Sequence, residues 1–185
     1  MKLHIFGASG SGVTTLGRSL EQKLGITYFD SDDYFWIKSE PPFTVKREPE
    51  ERNRMLITDL ETTEHWILGG SVFRWGEELL PGFDLVVFLY VPPEIRMKRL
   101  KEREYERYGD LIFTDDQRAE QHQAFIDWAA GYDHVTGLAG RNLRAHNDWL
   151  EHLQSPVLRI EGTQTVQERE RLVVRKLSNL EIKIP

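Results

Sequence analysis

The chain begins with a strand, a glycine-rich turn and a helix in direct succession, and no other feature limits its possible folds as strongly. An apolar run over residues 2–6 leads into the turn Gly7-Ala8-Ser9-Gly10-Ser11-Gly12, after which Leu16, Leu20 and Leu24 recur with a helical spacing. Such a turn places backbone N–H groups at a helix N-terminus, where they can hold phosphate. The sequence therefore predicts a phosphate-binding loop at the start of the chain.

The spacing of this turn is that of the P-loop, G-x-x-x-x-G-K-[ST], with Gly7 and Gly12 as the fixed glycines. Thr14 supplies the hydroxyl that ligates magnesium in this motif. Val13 stands where the motif has lysine, so the backbone cradle is kept while a charge that reaches the β- and γ-phosphates is lost. The alternative is a glycine-rich turn that only joins a strand to a helix.

Composition excludes several classes of protein. The 185 residues suit one domain, 1–185, and the absence of cysteine excludes disulfides, thiol nucleophiles and zinc–thiolate sites. The net charge of −6 argues against a nucleic-acid partner, and the six histidines lack metal-ligand spacing. No apolar run suits a membrane span, and the glycine loop follows the first strand too closely for a signal peptide. We therefore expect a cytoplasmic protein without a membrane partner.

A short second strand, residues 26–29, ends in three aspartates. Ligands of open parallel α/β sheets bind outside the carboxyl ends of the strands, so this cluster is expected beside the loop. Side chains alternate along an extended chain, which predicts that Asp30 and Asp32 point together while Asp33 points away. Asp32 is the predicted catalytic carboxylate, which orients an acceptor hydroxyl or holds magnesium through water. The alternative is a solvated acidic turn with no role.

The next part of the chain is interpreted as an insertion over the acceptor side of the site, about residues 36–62. Residues 36–44 are rich in proline and aromatic side chains, which predicts an irregular loop. Pro49 then opens a helix to about Leu60, because proline and acidic residues suit a first helical turn.

Two further strands follow. Residues 65–68 are followed by Gly69-Gly70-Ser71, where a ligand can approach the backbone closely. Arg74, just beyond these residues, can bind an anionic substrate group. A tight turn with a solvated arginine is the alternative for this segment. Residues 85–91 are continuously apolar, as expected for a central strand of a parallel sheet.

The helix predicted over residues 94–108 has an unusual stripe for an acidic protein. Spacings of three, four and four put four arginines on one face: Arg96, Arg99, Arg103 and Arg107. One interpretation is a solvated face with intrahelical pairs to Glu102 and Glu106. The other is a clamp on the transferring phosphoryl group, for which Arg99 and Arg103 are the better candidates.

A helix over residues 115–130 leads into residues 131–140, where three glycines permit hinge motion. About residues 105–140 are therefore predicted to form a lid. Arg141 and Arg144 open the helix that follows it.

The chain closes with a fifth strand and a helix. The strand covers residues 157–160, and Thr165 with Glu168 predicts a capping box at the start of the helix. Five strands that alternate with helices predict a three-layer α/β fold with a parallel sheet.

At these residues the chain resembles the nucleoside-monophosphate kinase and shikimate kinase-like group of P-loop kinases, over nearly its whole length. The loop is the specific feature, and the shorter ones are Phe29-Asp30-Ser31-Asp32, Gly69-Gly70, the pair Arg99 and Arg103, and the turn Gly162-Thr163. The resemblance implies a five-stranded parallel sheet of order 2-3-1-4-5, with ATP or GTP and Mg²⁺ as cofactors.

The resemblance also implies roles for particular residues. Asp32, with Asp30, would face the acceptor hydroxyl and the metal, and Thr14 would ligate magnesium. Arg99 and Arg103 match lid arginines, and Arg74 matches a substrate arginine. The donor phosphates would be held by Ser9, Gly10, Ser11, Gly12, Val13, Thr14 and Thr15.

Two functions remain open from the sequence. One is a kinase that transfers a phosphoryl group from a nucleoside triphosphate to a nucleotide or a small hydroxylated metabolite. The other is a nucleotide-binding sensor or regulatory protein with little or no transfer activity, which the loss of the loop lysine would suit. Asp30, Asp32 and the arginine stripe favour the kinase, because a protein that only binds needs neither a base nor a clamp. Neither the acceptor nor the oligomeric state follows from the sequence.

Overall fold

A computed structural model describes residues 1–40, 42–76, 82–134 and 140–183. Helices and strands alternate along most of the chain, and a single 3-10 turn, Gly131–Asp133, follows the sixth helix within this part. The elements are β1 (Lys2–Gly7), α1 (Val13–Leu24), β2 (Thr27–Asp30), α2 (Ser31–Phe35), β3 (Trp36–Ile37), β4 (Val45–Lys46), α3 (Pro49–Glu61), β5 (Trp66–Gly69), β6 (Leu85–Tyr90), α4 (Pro93–Tyr108), α5 (Leu111–Thr114), α6 (Asp116–Ala130), α7 (Leu143–His152), β7 (Val157–Glu161) and α8 (Val166–Asn179).

The main sheet has five parallel strands in the order β2-β5-β1-β6-β7. Counted among themselves in chain order, these strands give 2-3-1-4-5, so the predicted α/β fold and sheet order are confirmed. The register aligns Gly69 with Asp30 on one side and with Ile5 on the other. The loop after β1, the aspartates after β2 and the glycines after β5 therefore meet at one edge of the sheet.

Side chains of β1 alternate between two apolar layers. Leu3 and Ile5 belong to a core packed with residues of α1 and α8, such as Leu20 and Val173. Phe6 points to the opposite face, where α3 and α7 contribute residues such as Trp149. Helices thus cover both faces of the sheet, which gives the predicted three layers. No helix among the described residues is long and apolar enough to cross a membrane.

The predicted insertion contains more structure than the sequence indicated. In place of an irregular loop, β3 and β4 form a small antiparallel ribbon in which Trp36 pairs with Lys46. The Phe35 carbonyl accepts a hydrogen bond from the Arg47 backbone N–H, which extends this pairing. Pro41 of the predicted loop lies outside the described residues, and so does Gly137 of the predicted hinge.

The aspartates after β2 lie on a helix and not on an extended chain. Asp30 is the N-cap of α2, and its side chain accepts a hydrogen bond from the Asp32 backbone N–H. An Asp at the N-cap starts a helix at once, so the alternation argument for Asp30, Asp32 and Asp33 is wrong. The capping box of Thr165 and Glu168 at the start of α8 is confirmed.

Candidate active site

The turn between β1 and α1 is closed by a backbone hydrogen bond of 3.0 Å from Ser11 N–H to the Ala8 carbonyl. Gly10 and Gly12 have φ angles of 83° and 92°, in the left-handed region that favours glycine. A Cβ on Gly10 would also lie only 2.8 Å from the Arg96 carbonyl oxygen. The loop therefore depends on glycine at both positions, of which the motif spacing predicts Gly12.

The N-terminus of α1 is open to a ligand. Gly12 is the N-cap, and no side chain of the described residues caps this helix. The first N–H groups of a helix have no acceptor within it, and the helix dipole adds partial positive charge there. Val13 is half-buried against the core of α1 and α8. The backbone thus fits a phosphate group without any help from residue 13.

Arg96 lies beneath the loop and is 1% exposed. Its Nη1 donates to the Ser9 carbonyl at 3.2 Å and to the Ala129 carbonyl at 3.1 Å. Its Nη2 donates to Asp133 Oδ2 at 2.5 Å, so the buried charge is paired. Arg96 is therefore neither on a solvated face nor free to clamp a phosphoryl group. It ties the loop to the end of α6 and the turn after it.

Arg169 approaches the loop from α8 and is 4% exposed. Its Nη1 donates to the Ser11 carbonyl at 2.7 Å, and its Nη2 donates to the Gly162 carbonyl at 3.2 Å. Within the described part of the chain its Nε has no hydrogen-bond partner and no carboxylate forms an ion pair with it. Burial lowers the pKa of Arg169, and the positive charge of nearby Arg99 lowers it further.

The remaining arginines of α4 are exposed. Glu104 lies 3.5 Å from Arg103 Nη2 and 3.7 Å from Arg107 Nη1. Glu104 is buried next to these two side chains. Arg103 and Arg107 therefore pair with Glu104, and not with Glu102 and Glu106 as the sequence predicted.

Thr14 connects the loop to the end of β2. Its hydroxyl donates to Asp30 Oδ2 at 2.9 Å, and the Tyr28 hydroxyl donates to the same oxygen at 2.9 Å. Burial raises the pKa of Tyr28, and the charge of Asp30 raises it further, so this phenol stays protonated as a donor. The structure thus brings Asp30 to the Thr14 hydroxyl, whereas Asp32 contacts Asp30 through its backbone.

Asp32 lies on the first turn of α2 and is exposed to solvent, although neighbouring groups crowd its carboxylate. Desolvation by these groups raises the pKa of Asp32 to about 6, and the charge of Asp30 acts in the same direction. Arg141 and Arg103 oppose the rise because they favour the ionised form. Arg103 therefore interacts electrostatically with Asp32. Arg141, to which the sequence assigned no role, does so as well.

Arg141 lies just before α7 and is half-buried. Its Nη1 donates to the Ser71 carbonyl at 3.3 Å. Its guanidinium lies 6.0 Å from the centre of the Phe35 ring and 5.7 Å from that of Trp128. Burial lowers the pKa of Arg141, while the charge of Asp32 raises it.

Arg52 of α3 lies beside Arg141 and is 7% exposed. Its guanidinium stacks over the Trp75 ring at 3.9 Å from the ring centre. Burial lowers the pKa of Arg52, and the charge of Arg141 lowers it further. Two arginines held on aromatic rings therefore lie beside each other, and their combined positive charge suits an anion.

Behind Arg141, a buried histidine joins three segments. His146 contacts the Ser71 hydroxyl at 3.0 Å through Nε2 and the Tyr132 hydroxyl at 2.8 Å through Nδ1. Burial lowers the pKa of His146 to about 3, with a further contribution from Arg141, so the ring is neutral at physiological pH. A neutral imidazole has one donor and one acceptor, so one hydroxyl donates to it and the other accepts. This fixes the segment after β5 relative to the start of α7.

Arg74, the predicted substrate arginine, is exposed and has a left-handed backbone with φ of 61°. Its guanidinium lies 4.9 Å from the centre of the Phe73 ring. Arg141 acts on Asp32 together with Arg103, and Arg52 is the neighbour of Arg141.

The burial of three arginines was not predicted, although the sequence contains a signal for it. Arg52, Arg96 and Arg169 each lie four residues before a buried apolar residue of the same helix: Leu56, Leu100 and Val173 respectively. An arginine in line with an apolar stripe near the start of a helix predicts a buried guanidinium at the carboxyl edge of the sheet.

The chemistry of the donors suits magnesium at the loop. Mg²⁺ prefers oxygen ligands and keeps several waters, and the Thr14 hydroxyl and the Asp30 carboxylate offer such oxygens 2.9 Å apart. Among the described residues, no group of three or more His, Cys, Asp or Glu side chains is arranged for a metal.

Comparisons with known proteins agree with this geometry. Residues 4–123 match the family described as AAA domain. Uncharacterized protein YqaC of Bacillus subtilis (strain 168) is 43% identical over 177 residues, which are 96% of this chain and 97% of that protein. Shikimate kinase of Neisseria meningitidis serogroup C (strain 053442) is 30% identical over 110 residues, which are 54% of this chain and 65% of that kinase.

A solved structure shows the same fold. Shikimate kinase from Acinetobacter baumannii, in complex with shikimate, aligns with a TM-score of 0.57 at 18% identity over 98% of this chain and 94% of that one. The matched family, the kinase relatives and the loop after β1 support the same conclusion. The chain therefore belongs to the AAA domain family, and shikimate kinases are among the proteins to which it is similar.

Proposed function

We propose that this protein transfers the γ-phosphoryl group of ATP or GTP to a hydroxyl group of a small anionic acceptor, either a metabolite or a nucleotide. One observation carries the proposal: the open N-terminus of α1 lies beside Asp30, whose carboxylate accepts hydrogen bonds from the Thr14 hydroxyl and the Asp32 backbone N–H. The Asp32 carboxylate, whose pKa is raised to about 6, is ionised at pH 7 yet basic enough to accept a hydroxyl proton, and Arg141 and Arg103 act on it electrostatically. The same position therefore combines a base with positive charge for the substrates.

On the donor side, the loop from Ser9 to Thr15 holds the phosphates through backbone N–H groups at the start of α1. Thr14 and Asp30 hold magnesium, with Asp32 as a further ligand through water. A bound nucleoside triphosphate supplies the transferable group, and Mg²⁺ neutralises charge on its phosphates. The residues of the chain contribute position and electrostatic stabilisation, which are the main requirements of phosphoryl transfer.

On the acceptor side, Arg141 and Arg52 bind the anionic group, and Asp32 orients the hydroxyl. The ring of Trp75 lies against Arg52, and those of Phe35 and Trp128 lie near Arg141, so these rings help to position the two guanidinium groups. Arg74 is at the mouth of this side.

From their positions on α4, Arg99 and Arg103 neutralise charge on the phosphoryl group during its transfer.

We assign residues 1–185 to one domain, with about 36–62 as the acceptor-side insertion and about 105–140 as the lid. The partners are then a nucleotide and a small acceptor, without nucleic acid.

The experiment is a transfer assay with γ-labelled ATP and GTP, with and without Mg²⁺, against hydroxylated acids, sugar acids and nucleoside monophosphates. We expect labelled product with at least one anionic acceptor and none with its neutral analogue, because Arg52 and Arg141 favour an anion. Transfer to neutral acceptors alone would contradict the assignment of this side.

Val13 favours a second candidate, a nucleotide-binding regulatory protein without transfer activity. Loss of the loop lysine removes a charge that assists transfer more than binding. Calorimetric binding of ATP without transfer to any acceptor, combined with substantial transfer by Val13→Lys, would favour this candidate over the kinase.

A further inference from the structure

The phosphate loop lacks the positive charge that its motif normally has at residue 13. The Val13 side chain packs against apolar residues of α1 and α8, so it contributes nothing to the cradle. The lysine of this motif reaches the β- and γ-phosphates as a point charge. If the loop binds a polyphosphate, that charge has to come from another part of the chain.

Two buried arginines touch carbonyl groups of the loop, and they differ in one respect. Arg96 reaches Ser9 and is paired with the carboxylate of Asp133. Arg169 reaches Ser11, and within the described ranges no carboxylate pairs with it. Described residues therefore neutralise the charge of Arg96, whereas no described carboxylate neutralises that of Arg169.

The surroundings of Arg169 are unfavourable for a cation unless an anion is bound. Its Nη1 would lie 3.2 Å from a Cβ on Gly12, so it sits directly against the N-cap of α1, where the helix dipole is positive. Arg99 adds a second positive charge nearby. The Ser11 and Gly162 carbonyls accept hydrogen bonds but do not neutralise the guanidinium. A buried and unpaired charge of this kind is costly.

We propose that Arg169 supplies, from α8, the positive charge that binds nucleotide phosphates in this loop in place of the lysine absent at Val13. This inference rests on the proposed function, in which the loop holds a nucleoside di- or triphosphate. Arg169 contacts the outer, carbonyl side of the loop. It therefore acts as a positioning residue that lends charge to the phosphate cradle, and it is not a catalytic residue.

The first test is calorimetric titration of Arg169→Gln with adenosine, AMP, ADP and ATP in the presence of Mg²⁺. The amide keeps a hydrogen-bond donor and removes the charge. We expect the affinity for ADP and ATP to fall about 10- to 100-fold, the affinity for AMP to fall less, and that for adenosine to stay within a few-fold. Arg169→Lys keeps the charge and should retain most of the affinity, and Arg175→Gln, an exposed change on the same helix, should have no effect.

The second test restores the charge at its usual position. Val13→Lys in the Arg169→Gln background should recover most of the lost affinity for ADP and ATP. In the otherwise unchanged chain, Val13→Lys should alter that affinity by no more than about threefold, since the charge is already present. This single variant gives an answer even if Arg169→Gln does not fold.

The outcomes separate this inference from the proposed function. Equal losses for adenosine and ATP in Arg169→Gln, no loss at all, or a gain of more than about tenfold from Val13→Lys alone would each overturn the role of Arg169. Nucleotide binding by the unchanged chain would still stand in those cases. Absence of any nucleotide binding by the unchanged chain would instead contradict the proposed function and this inference together.

Discussion

The donor and acceptor sides of the site are built in different ways. The donor side is one contiguous stretch, residues 7–15, and its binding groups are backbone N–H groups whose positions follow from glycine spacing. The proposed acceptor side is formed by side chains from separate elements: Asp32 of α2, Arg52 of α3 and Arg141 before α7. A contiguous backbone site can be identified from a motif, whereas a dispersed side-chain site exists only once the fold has brought its members together.

The two sides also differ in how they tolerate change. The donor loop depends on conformations that only glycine adopts readily, so a side chain there disrupts the whole cradle. The acceptor side depends on individual charges, so each substitution removes one interaction and leaves the others. We therefore expect a substitution in the donor loop to abolish nucleotide binding, and a substitution on the acceptor side to weaken acceptor binding only in part.

The largest expected effect comes from Gly12→Val on the donor side. A branched side chain at φ of 92° strains the loop and meets Arg169 Nη1 at 3.2 Å from its Cβ. We expect the affinity for ATP to fall by more than about 100-fold, as measured by calorimetry. Gly82→Val is the control because a Cβ there would meet no atom of the described residues within 4 Å. Unchanged ATP binding by Gly12→Val would contradict the expectation that the donor loop tolerates substitution less than the acceptor side does.

A smaller and more selective effect is expected from Arg141→Met. Loss of this guanidinium should raise the KM for an anionic acceptor about 10- to 100-fold and leave ATP affinity within a few-fold. The pKa of Asp32 should rise above about 6, because Arg141 favours its ionised form, so the acidic limb of the pH–rate profile should move to higher pH.

Arg144→Met is the matched control for Arg141→Met. Arg144 is exposed on α7 and lies 3.9 Å from Asp148, away from Asp32. Steady-state kinetics over pH 5 to 8 compare the two variants. Equal changes in both, or a loss of ATP affinity in Arg141→Met, would contradict the separation of the acceptor side from the donor side.

The smallest effect is a gain of stability from Asp32→Asn. The pKa of Asp32 is raised from 3.8 to about 6, so the unfolded state releases this proton at lower pH than the folded state. The free energy of unfolding therefore falls as pH rises through that window, and at pH 7 the folded protein retains an unfavourable charge. We expect Asp32→Asn to raise the melting temperature at pH 7 by only about 2 °C, because solvent reaches the carboxylate, and to have less effect near pH 4. A lower melting temperature at pH 7 would contradict this assignment.

Much of the fold was predictable because each strand and helix follows from local patterns. The apolar run of β6, the Gly25 C-cap of α1 and the Thr165 capping box each determine an element by themselves. The ribbon of β3 and β4 was not predictable, since it depends on pairing between two very short segments. α2 was missed because an N-cap aspartate was interpreted only as a ligand.

The parts of the site that are contiguous in sequence were predictable, and the parts that long-range contacts bring together were not. Spacing alone located the loop and Asp32, but it grouped Arg96 with exposed arginines although Asp133 neutralises it from beyond α6. Arg141 becomes part of the site only when the segment before α7 meets α2. Such long-range contacts leave no trace in sequence spacing.

The most direct test of the account is transfer of the γ-phosphoryl group by Asp32→Asn, compared with Asp33→Asn. The two residues are neighbours on α2, and Asp33 has no role in the proposed mechanism. Measured with the best acceptor from the transfer assay, Asp32→Asn should lower kcat by about 100-fold or more and leave ATP affinity within a few-fold, while Asp33→Asn stays near the unchanged chain. An Asp32→Asn protein with near-normal kcat would contradict the assignment of Asp32 and with it the proposed mechanism.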